Sequence, residues 1–416
     1  MRRSNPTHDV SSRCAGSTTQ ISSLAADVLG EIFLRLPSPA SVARASCACV
    51  HWRGVASSAA FLRRFHGCAP LVKYVSCCSL THPASRSLSD DPDIAAFLRR
   101  AKFHQEPCDL VLDCRHGLLL ISPSEQTGNH AKEVLVVYEP VSDLRVNIGS
   151  RPDDGHPCSY FTDCLLLDGH DGSVASVQED GQRIRAVVYD LSSNQWTFHP
   201  WVEGISAPEA TTDQNSVVIK PSPMHAARCV YWKYRAHDSL LSLDMATMEF
   251  SIVPLPHRVR AKTPYAVGEM RNAECCLVSC SAHSIADAGQ KMQVWRRVVS
   301  GNDVEHWELQ RQVPLMELVQ AIPARLRVYN IRAVAAGNVL VWFKVEGHSQ
   351  SVNDHAAFCL DSFKMLEQFV SHELILYPYQ MTWPPLLATG CAVADAPGKC
   401  CVYSCVLSFH TAKHMV

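Results

Sequence analysis

From residue 70 onward one phrase keeps returning: a short β-rich run, a polar turn, then a second short run. It is clearest in Ile184-Arg185-Ala186-Val187-Val188-Tyr189-Asp190 followed by Trp196-Thr197-Phe198. The phrase recurs as Val134 to Glu139 with Val146, Leu240 to Asp244 with Phe250, Gln293 to Arg296 with Trp307, and His355 to Asp361 with Phe369. Its anchors Glu139, Asp190, Asp244, Arg296 and Asp361 stand 51, 54, 52 and 65 residues apart. Two further β-rich runs lie upstream of each anchor, for example Asp109 to Asp113 with Gly117 to Ser122, and Phe161 to Leu167 with Ser173 to Val177. About four strands per unit at a period near fifty is the arithmetic of a β-propeller of the kelch-like spacing class.

Five repeats are nearly complete. Pro70 to Cys77 is an apolar strand ahead of the first, and Thr389 to Ala394 and Cys401 to Leu407 follow the last without outer partners. Joining these N- and C-terminal strands makes a sixth blade and removes two open sheet edges that invite aggregation. Six blades are therefore expected. Seven stay compatible with the irregular stretch 78–108 and the longer last spacing.

Ahead of the repeats the period is helical. Residues 1–20 are rich in Ser, Thr and Arg and hold almost nothing apolar, so they are expected to be a disordered tail. Within 21–66, Ala25, Val28, Leu29, Ile32, Phe33 and Leu36 fall at steps of three and four, one apolar stripe on a helix. Asp27 suits its first turn, Gly30 weakens it by about 1 kcal/mol relative to Ala, and Pro37 ends it. Ser38-Pro39 restarts a helix with Val42, Ala45 and Cys49 on its inner face, and a third piece carries Trp52, Arg53 and Val55. Three short helices make a core that is marginal alone, and such a module is expected to dock onto something. The propeller takes residues 67–416.

Composition removes several function classes. Lys plus Arg number 38 against 40 Asp plus Glu, a formal charge of −2, which offers no basic excess to nucleic acid. No run reaches the roughly 18 apolar residues of a membrane span, and Met1-Arg2-Arg3-Ser4-Asn5-Pro6 leads into no apolar signal core, so a cytoplasmic or nuclear protein is expected. The 19 cysteines read as reduced thiols, several inside apolar runs such as Cys275-Cys276-Leu277-Val278-Ser279-Cys280. There is no Cys-x-x-Cys pair and no His-Glu-x-x-His, so neither a metal nor a cofactor is expected. Asp168-Gly169-His170-Asp171-Gly172 lacks the ligands of a calcium loop and reads as a hairpin turn. Trp196, Trp295 and Trp307 read as packing residues. No Gly-x-Ser-x-Gly elbow, phosphate loop or dinucleotide fingerprint occurs, so no catalytic residue is assigned.

The phrase Leu24-Ala25-Ala26-Asp27-Val28-Leu29-Gly30-Glu31-Ile32-Phe33-Leu34-Arg35-Leu36-Pro37, followed by Val42, Arg44, Cys49 and Trp52-Arg53, resembles an F-box. Phe61-Leu62-Arg63-Arg64-Phe65 and Asp113-Cys114-Arg115-His116-Gly117 extend the likeness to plant-type F-box proteins with a C-terminal F-box-associated β-propeller. The resemblance implies a substrate-recognition subunit of an SCF-type cullin ubiquitin ligase. Its F-box would bind a Skp-type adaptor, and through it a cullin, while the propeller captures a target protein. By position, Leu24, Val28, Leu29, Ile32, Leu36, Pro37, Val42 and Trp52 would form or buttress the adaptor-binding surface, with Trp52 and Leu29 as energetic anchors. The chain departs from the pattern at Ala25, where a proline is usual, and at Val50, where a basic residue is usual. Two other readings stand beside this one: a propeller scaffold without ligase function, and a propeller enzyme with its site in the central channel.

Overall fold

Alternation of apolar and polar residues becomes strand after strand in the computed structural model, which describes residues 24–36, 39–58, 60–61, 64–65, 71–76, 101, 110–123, 134–150, 160–167, 173–180, 183–205, 211–212, 218–219, 222–234, 238–281, 290–299, 305–318, 326–345, 353–371 and 375–380. The 1–20 tail, the turn at 168–172 and the strands expected at 389–394 and 401–407 lie outside them. The chain divides into two units, Met1–Arg64 and Phe65–Val416.

The first unit is helical: α1 Ala26–Leu34, α2 Pro39–Ser46 and α3 Val50–Ala56. Leu29 and Phe33 of α1 are buried with Val42, Val55 and Phe61. Phe33 meets Trp52 and Phe61 edge-on, at ring distances of 5.6 and 5.9 Å, the aromatic geometry that adds to plain burial. Cys49 caps α3, its sulfur accepting from the Trp52 amide at 3.4 Å. Five or so apolar side chains are a thin core, in keeping with the size of the unit.

The second unit begins with β1 Leu71–Ser76. Five antiparallel meanders follow, the first being β2 Leu110–Arg115, β3 Leu118–Ser122, β4 Val134–Glu139 and β5 Leu144–Ser150. The second is β6 Tyr160–Leu166, β7 Val174–Asp180, β8 Arg183–Asp190 and β9 Gln195–Phe198, with β10 Val202–Glu203 also on β8. A small ladder of β11 Thr211–Thr212 and β12 Val218–Ile219 leads to the third, β13 Met224–Ala226, β14 Cys229–Tyr234, β15 Ser239–Asp244 and β16 Phe250–Pro254. The fourth is β17 Tyr265–Glu269, β18 Cys275–Cys280, β19 Lys291–Val299 and β20 Glu305–Pro314, followed by the short α4 Leu315–Leu318. The fifth is β21 Leu326–Ala335, β22 Asn338–Val345, β23 Asn353–Cys359 and β24 Met365–Ser371. Last comes β25 Leu376–Gln380, antiparallel to β1 with Tyr74 opposite Pro378 and Ser76 opposite Leu376. This is a propeller-like arrangement in which each meander shares apolar residues with the next: Leu118, Leu120, Val137, Leu166 and Val174 join the first and second. Leu165, Ala175, Trp232 and Leu241 join the second and third.

The turn after the third strand explains the repeated anchors. Asp190 and Asp244 end β8 and β15, and each side chain accepts the amides two and three residues on, at 2.7 and 3.4 Å for Asp190 and at 2.9 and 3.3 Å for Asp244. The bonds from the Ser192 hydroxyl and amide hold the Asp190 carboxyl below its ordinary range. The amide of the residue four on then closes on the anchor carbonyl, Asn194 to Asp190 and Met248 to Asp244, both at 2.8 Å. Glu139 ends β4 and accepts from the Ser142 hydroxyl. Two anchors depart from the expected register. Arg296 lies inside β19, opposite Glu308, because the strand runs on to Val299. In the fifth repeat the closing bond is Phe363 amide to Cys359 carbonyl at 2.7 Å, so Cys359 holds the anchor position and Asp361 sits in the turn.

Of the expected packing tryptophans, Trp295 is buried and Trp307 donates through Nε1 to the Pro254 carbonyl of the third meander at 2.9 Å. Trp196 packs on Tyr189 at 5.1 Å. All nine described cysteines are free. Burial pushes the thiols of Cys275 and Cys280 up to about 12, as befits small apolar packing groups.

The fourth and fifth meanders touch along their first strands, where Gly268 of β17 pairs in parallel with Val334 of β21. A Cβ added at Gly268 would stand 1.9 Å from the Val334 carbonyl oxygen, a backbone atom that cannot swing aside. Gly268→Ala is therefore expected to lower stability by about 2 kcal/mol or more, read as a fall in the denaturation midpoint.

Candidate functional site

In the helical unit the described adaptor residues predicted from sequence fall into three groups by exposure. Leu29, at 0% exposure, and Val42 belong to the unit's own core. Val28 and Ile32, one turn apart on α1, are 45% and 42% exposed, a pair of apolar side chains on one helical stripe. Leu24, Leu36 and Trp52 are half-buried, Trp52 against Phe33. Pro37 lies outside the described residues. Leu29, predicted as an energetic anchor, is thus buried and not itself exposed. Ala25 stands just ahead of α1 at φ −60°, ψ 149°, without a side-chain cap. That is a backbone proline adopts freely.

In the second unit a cavity of about 160 Å³ gathers the first strands of several meanders. From β2 come Asp113, Cys114 and Arg115; from β13 and β14, His225 and Lys233; from β17, Glu269; from β21, Arg332. Asp113 is almost fully buried, and both its carboxylate oxygens are engaged. Oδ1 takes the Cys114 amide at 2.8 Å, Oδ2 takes the Leu166 amide at 2.8 Å, and His225 Nε2 lies 3.1 and 2.9 Å from the two oxygens. Arg115 donates through Nη2 to Glu269 at 3.2 Å and to the Ala227 carbonyl at 3.1 Å, both carried by other meanders. The Cys114 thiol donates to the Pro378 carbonyl of β25 at 3.4 Å. Burial, and then the Asp113 carboxylate, push that thiol well above its ordinary value, so it stays protonated. On the same strand, Leu112 and the following Gly117 receive the Tyr377 and Tyr379 hydroxyls of β25, at 2.7 and 3.3 Å.

Sequence reasoning took Asp113-Cys114-Arg115 only as part of the family likeness and gave none of these polar residues a role in a site, although one signal was present. Asp113-Cys114 and Asp163-Cys164 are the same dipeptide set 50 residues apart, and each Asp accepts its own neighbour's amide, at 2.8 and 3.0 Å. Both sit at a register shift of their ladder, and Asp163 in turn accepts from Trp232 Nε1 of the third meander at 2.9 Å. A charged residue repeating at the blade period inside an apolar strand marks a position that ties one repeat to the next. Among the described residues no group of three or more His, Cys, Asp or Glu is placed to hold a metal ion, and no helix is long and apolar enough to cross a membrane.

A short helical unit followed by a propeller-like array of four-stranded meanders defines the class. The family model described as F-box protein AT5G49610-like, beta-propeller, matches residues 110–387, and the chain belongs to that family. No curated protein matches it. Solved structures are similar at low identity. TolB from Acinetobacter baumannii shares 8% identity over 63% of this chain and 54% of that one, with a TM-score of 0.33, so this chain spans about half of its length. A protein from Lactobacillus plantarum shares 10% over 63% and 84%, TM-score 0.30, and the nidogen/laminin complex 11% over 65% and 84%, TM-score 0.32. At such scores nothing passes from those proteins to this one.

The buried pair predicts a measurable coupling. Asp113→Ala is expected to cost about 3 kcal/mol, because it leaves the Leu166 and Cys114 amides and His225 without their acceptor. His225→Ala alone should cost less, and the double variant should fall short of the sum by about 1 kcal/mol or more in chemical denaturation.

Proposed function

We propose that this protein is the substrate-recognition subunit of an SCF-type cullin ubiquitin ligase, its helical unit binding a Skp-type adaptor and its propeller binding a target protein. Membership of an F-box propeller family carries the reading. It is supported by the helical unit itself, which leaves Val28 and Ile32 exposed on one stripe while Leu29 and Phe33 fill the core behind them. Two branched apolar side chains on a rigid helix are the kind of anchor that a partner groove buries. No chemistry of its own is asked of the chain. Holding a target near a charged conjugating enzyme raises the local concentration of its lysines, which is proximity acting in place of catalysis. The cavity fits this view, since Asp113 and Glu269 are both engaged in holding meanders together. The compartment is that of the cullin machinery, cytosol or nucleus.

We also infer that the propeller has six blades, with β1 and β25 as the described part of the sixth. Support comes from two apolar clusters: one joins Val75, Tyr377 and Tyr379 to the first meander, the other joins Tyr74 and Leu376 to the fifth.

Co-purification with a Skp-type adaptor tests the ligase reading. Ile32→Glu, and Val28→Glu, should abolish capture while leaving the far-ultraviolet spectrum and melting temperature of the protein unchanged. Leu29→Asp, by contrast, should unfold the helical unit itself, since it places a charge in the core. Ala25→Pro should leave the fold intact and tighten adaptor binding, because it restores the proline usual in the family at a backbone already set for it. Capture of adaptor undiminished in Ile32→Glu and Val28→Glu would overturn the assignment of this face.

A further inference from the structure

The connection from β16 to β17 is a well-fastened loop that carries three cations. It leads from the last strand of the third meander to the first strand of the fourth. Two hydrogen-bonded turns shape it: the Val259 amide closes on the Pro256 carbonyl at 2.8 Å, and the Thr263 amide on the Arg260 carbonyl at 2.9 Å. Asp238 pins it from the side, its carboxylate accepting the Ala261 amide at 2.6 Å and its carbonyl the Leu255 amide at 3.0 Å. Leu255 and Val259 are buried in the apolar core, and His257 meets Trp295 edge-on at 5.7 Å. A loop held at so many points loses little freedom when it binds.

Its outward positions are cationic. Arg258, Arg260 and Lys262 alternate along the loop and are exposed, with buried Val259 between the first two. Among the described residues Arg258 and Lys262 make no ion pair, and Arg260 meets Asp238 at 3.3 Å with both side chains open to water. A pair so exposed is weak, so Arg260 stays available to a second carboxylate. From Phe250 to Gly268 the sequence holds no Asp or Glu. In a chain whose formal charge is −2, that is a local excess of positive charge.

We propose that this loop is a docking surface for an acidic segment of a polypeptide, engaged by Arg258, Arg260 and Lys262. The inference deepens the proposed capture of a target protein by the propeller, and rests on it. Charge complementarity selects the partner. Cations on a fixed backbone match carboxylates on neighbouring residues of an extended chain, and each arginine can take a carboxylate with two bonds. Nucleic acid fits poorly. Proteins that grip a duplex neutralise about six to ten phosphates, and the chain as a whole has no basic excess to extend the footprint.

Titration calorimetry on the full chain tests the surface with acetyl-Gly-Glu-Glu-Glu-Glu-Gly-amide and its all-Gln counterpart as matched probes. Saturable binding of the Glu peptide is expected, weakening as salt is raised, with none for the Gln peptide. Arg258→Gln and Lys262→Gln combined in one chain should weaken the Glu peptide by about tenfold or more. Arg258→Lys combined with Lys262→Arg keeps both charges and should retain most of the affinity. Both positions are exposed, so the melting temperature should hardly move. Equal behaviour of the two peptides, or wild-type affinity in the double Gln variant, would overturn the proposal. An oligothymidylate of equal charge probes the other polyanion: weaker binding than the Glu peptide supports a polypeptide partner, and tighter binding contradicts it. Adaptor capture, measured in parallel, separates this reading from the other. Ile32→Glu should lose adaptor and keep the peptide, and the double Gln variant should do the reverse.

Discussion

The second unit depends on one strand, β2, and on two charged side chains within it. Asp113 gathers an amide from the second meander and an imidazole from the third, while Arg115 reaches a carbonyl of the third and a carboxylate of the fourth. Beside them, the Cys114 thiol and the backbone of Leu112 and Gly117 take up β25. Charges this deep are tolerated only when their hydrogen bonds are made, and each bond here is made to a different part of the chain. A propeller-like array needs such ties because its meanders are local units, each able to form by itself but unable to bury its faces alone.

Much of this was legible in the sequence, and the limits have physical causes. Strands such as Val134–Glu139 and helices such as Pro39–Ser46 follow from period and capping residues, both local signals. The anchor turn was legible at Asp190 and Asp244 because a carboxylate there caps its own turn. It misled at Asp361, where Cys359 holds the same backbone position and the acid two residues on merely resembles it. At Arg296 a longer hairpin displaced the strand end, and hairpin length leaves little trace in composition. The cavity escaped notice for another reason. Asp113 and His225 are 112 residues apart, and no periodicity reports which inner strand faces which. Only the repeated Asp-Cys dipeptide offered a hint.

For the helical unit the stripe pattern located α1 but did not divide it. Leu29 and Ile32 look alike in a helical projection, since both are branched apolar residues three apart. Packing separates them: Leu29 is fully buried and Ile32 is left outside. A core so small ties surface and interior closely, so residues that would support the proposed docking face also hold the unit together. The proposed division of labour follows from this anatomy. A thin helical module gains by binding a partner, and a rigid strand array is suited to presenting loops and a charged cavity.

Native-state hydrogen exchange along the terminal strands tests the central claim most directly, namely that β1 and β25 complete a closed array fastened through β2. The account predicts that amides of Tyr74, Val75, Tyr377 and Tyr379 exchange only with global unfolding, at the same free energy as Leu119 and Leu120 in the first meander. Rapid exchange of β1 and β25 while Leu119 and Leu120 stay protected would contradict it, leaving an open array with two frayed ends.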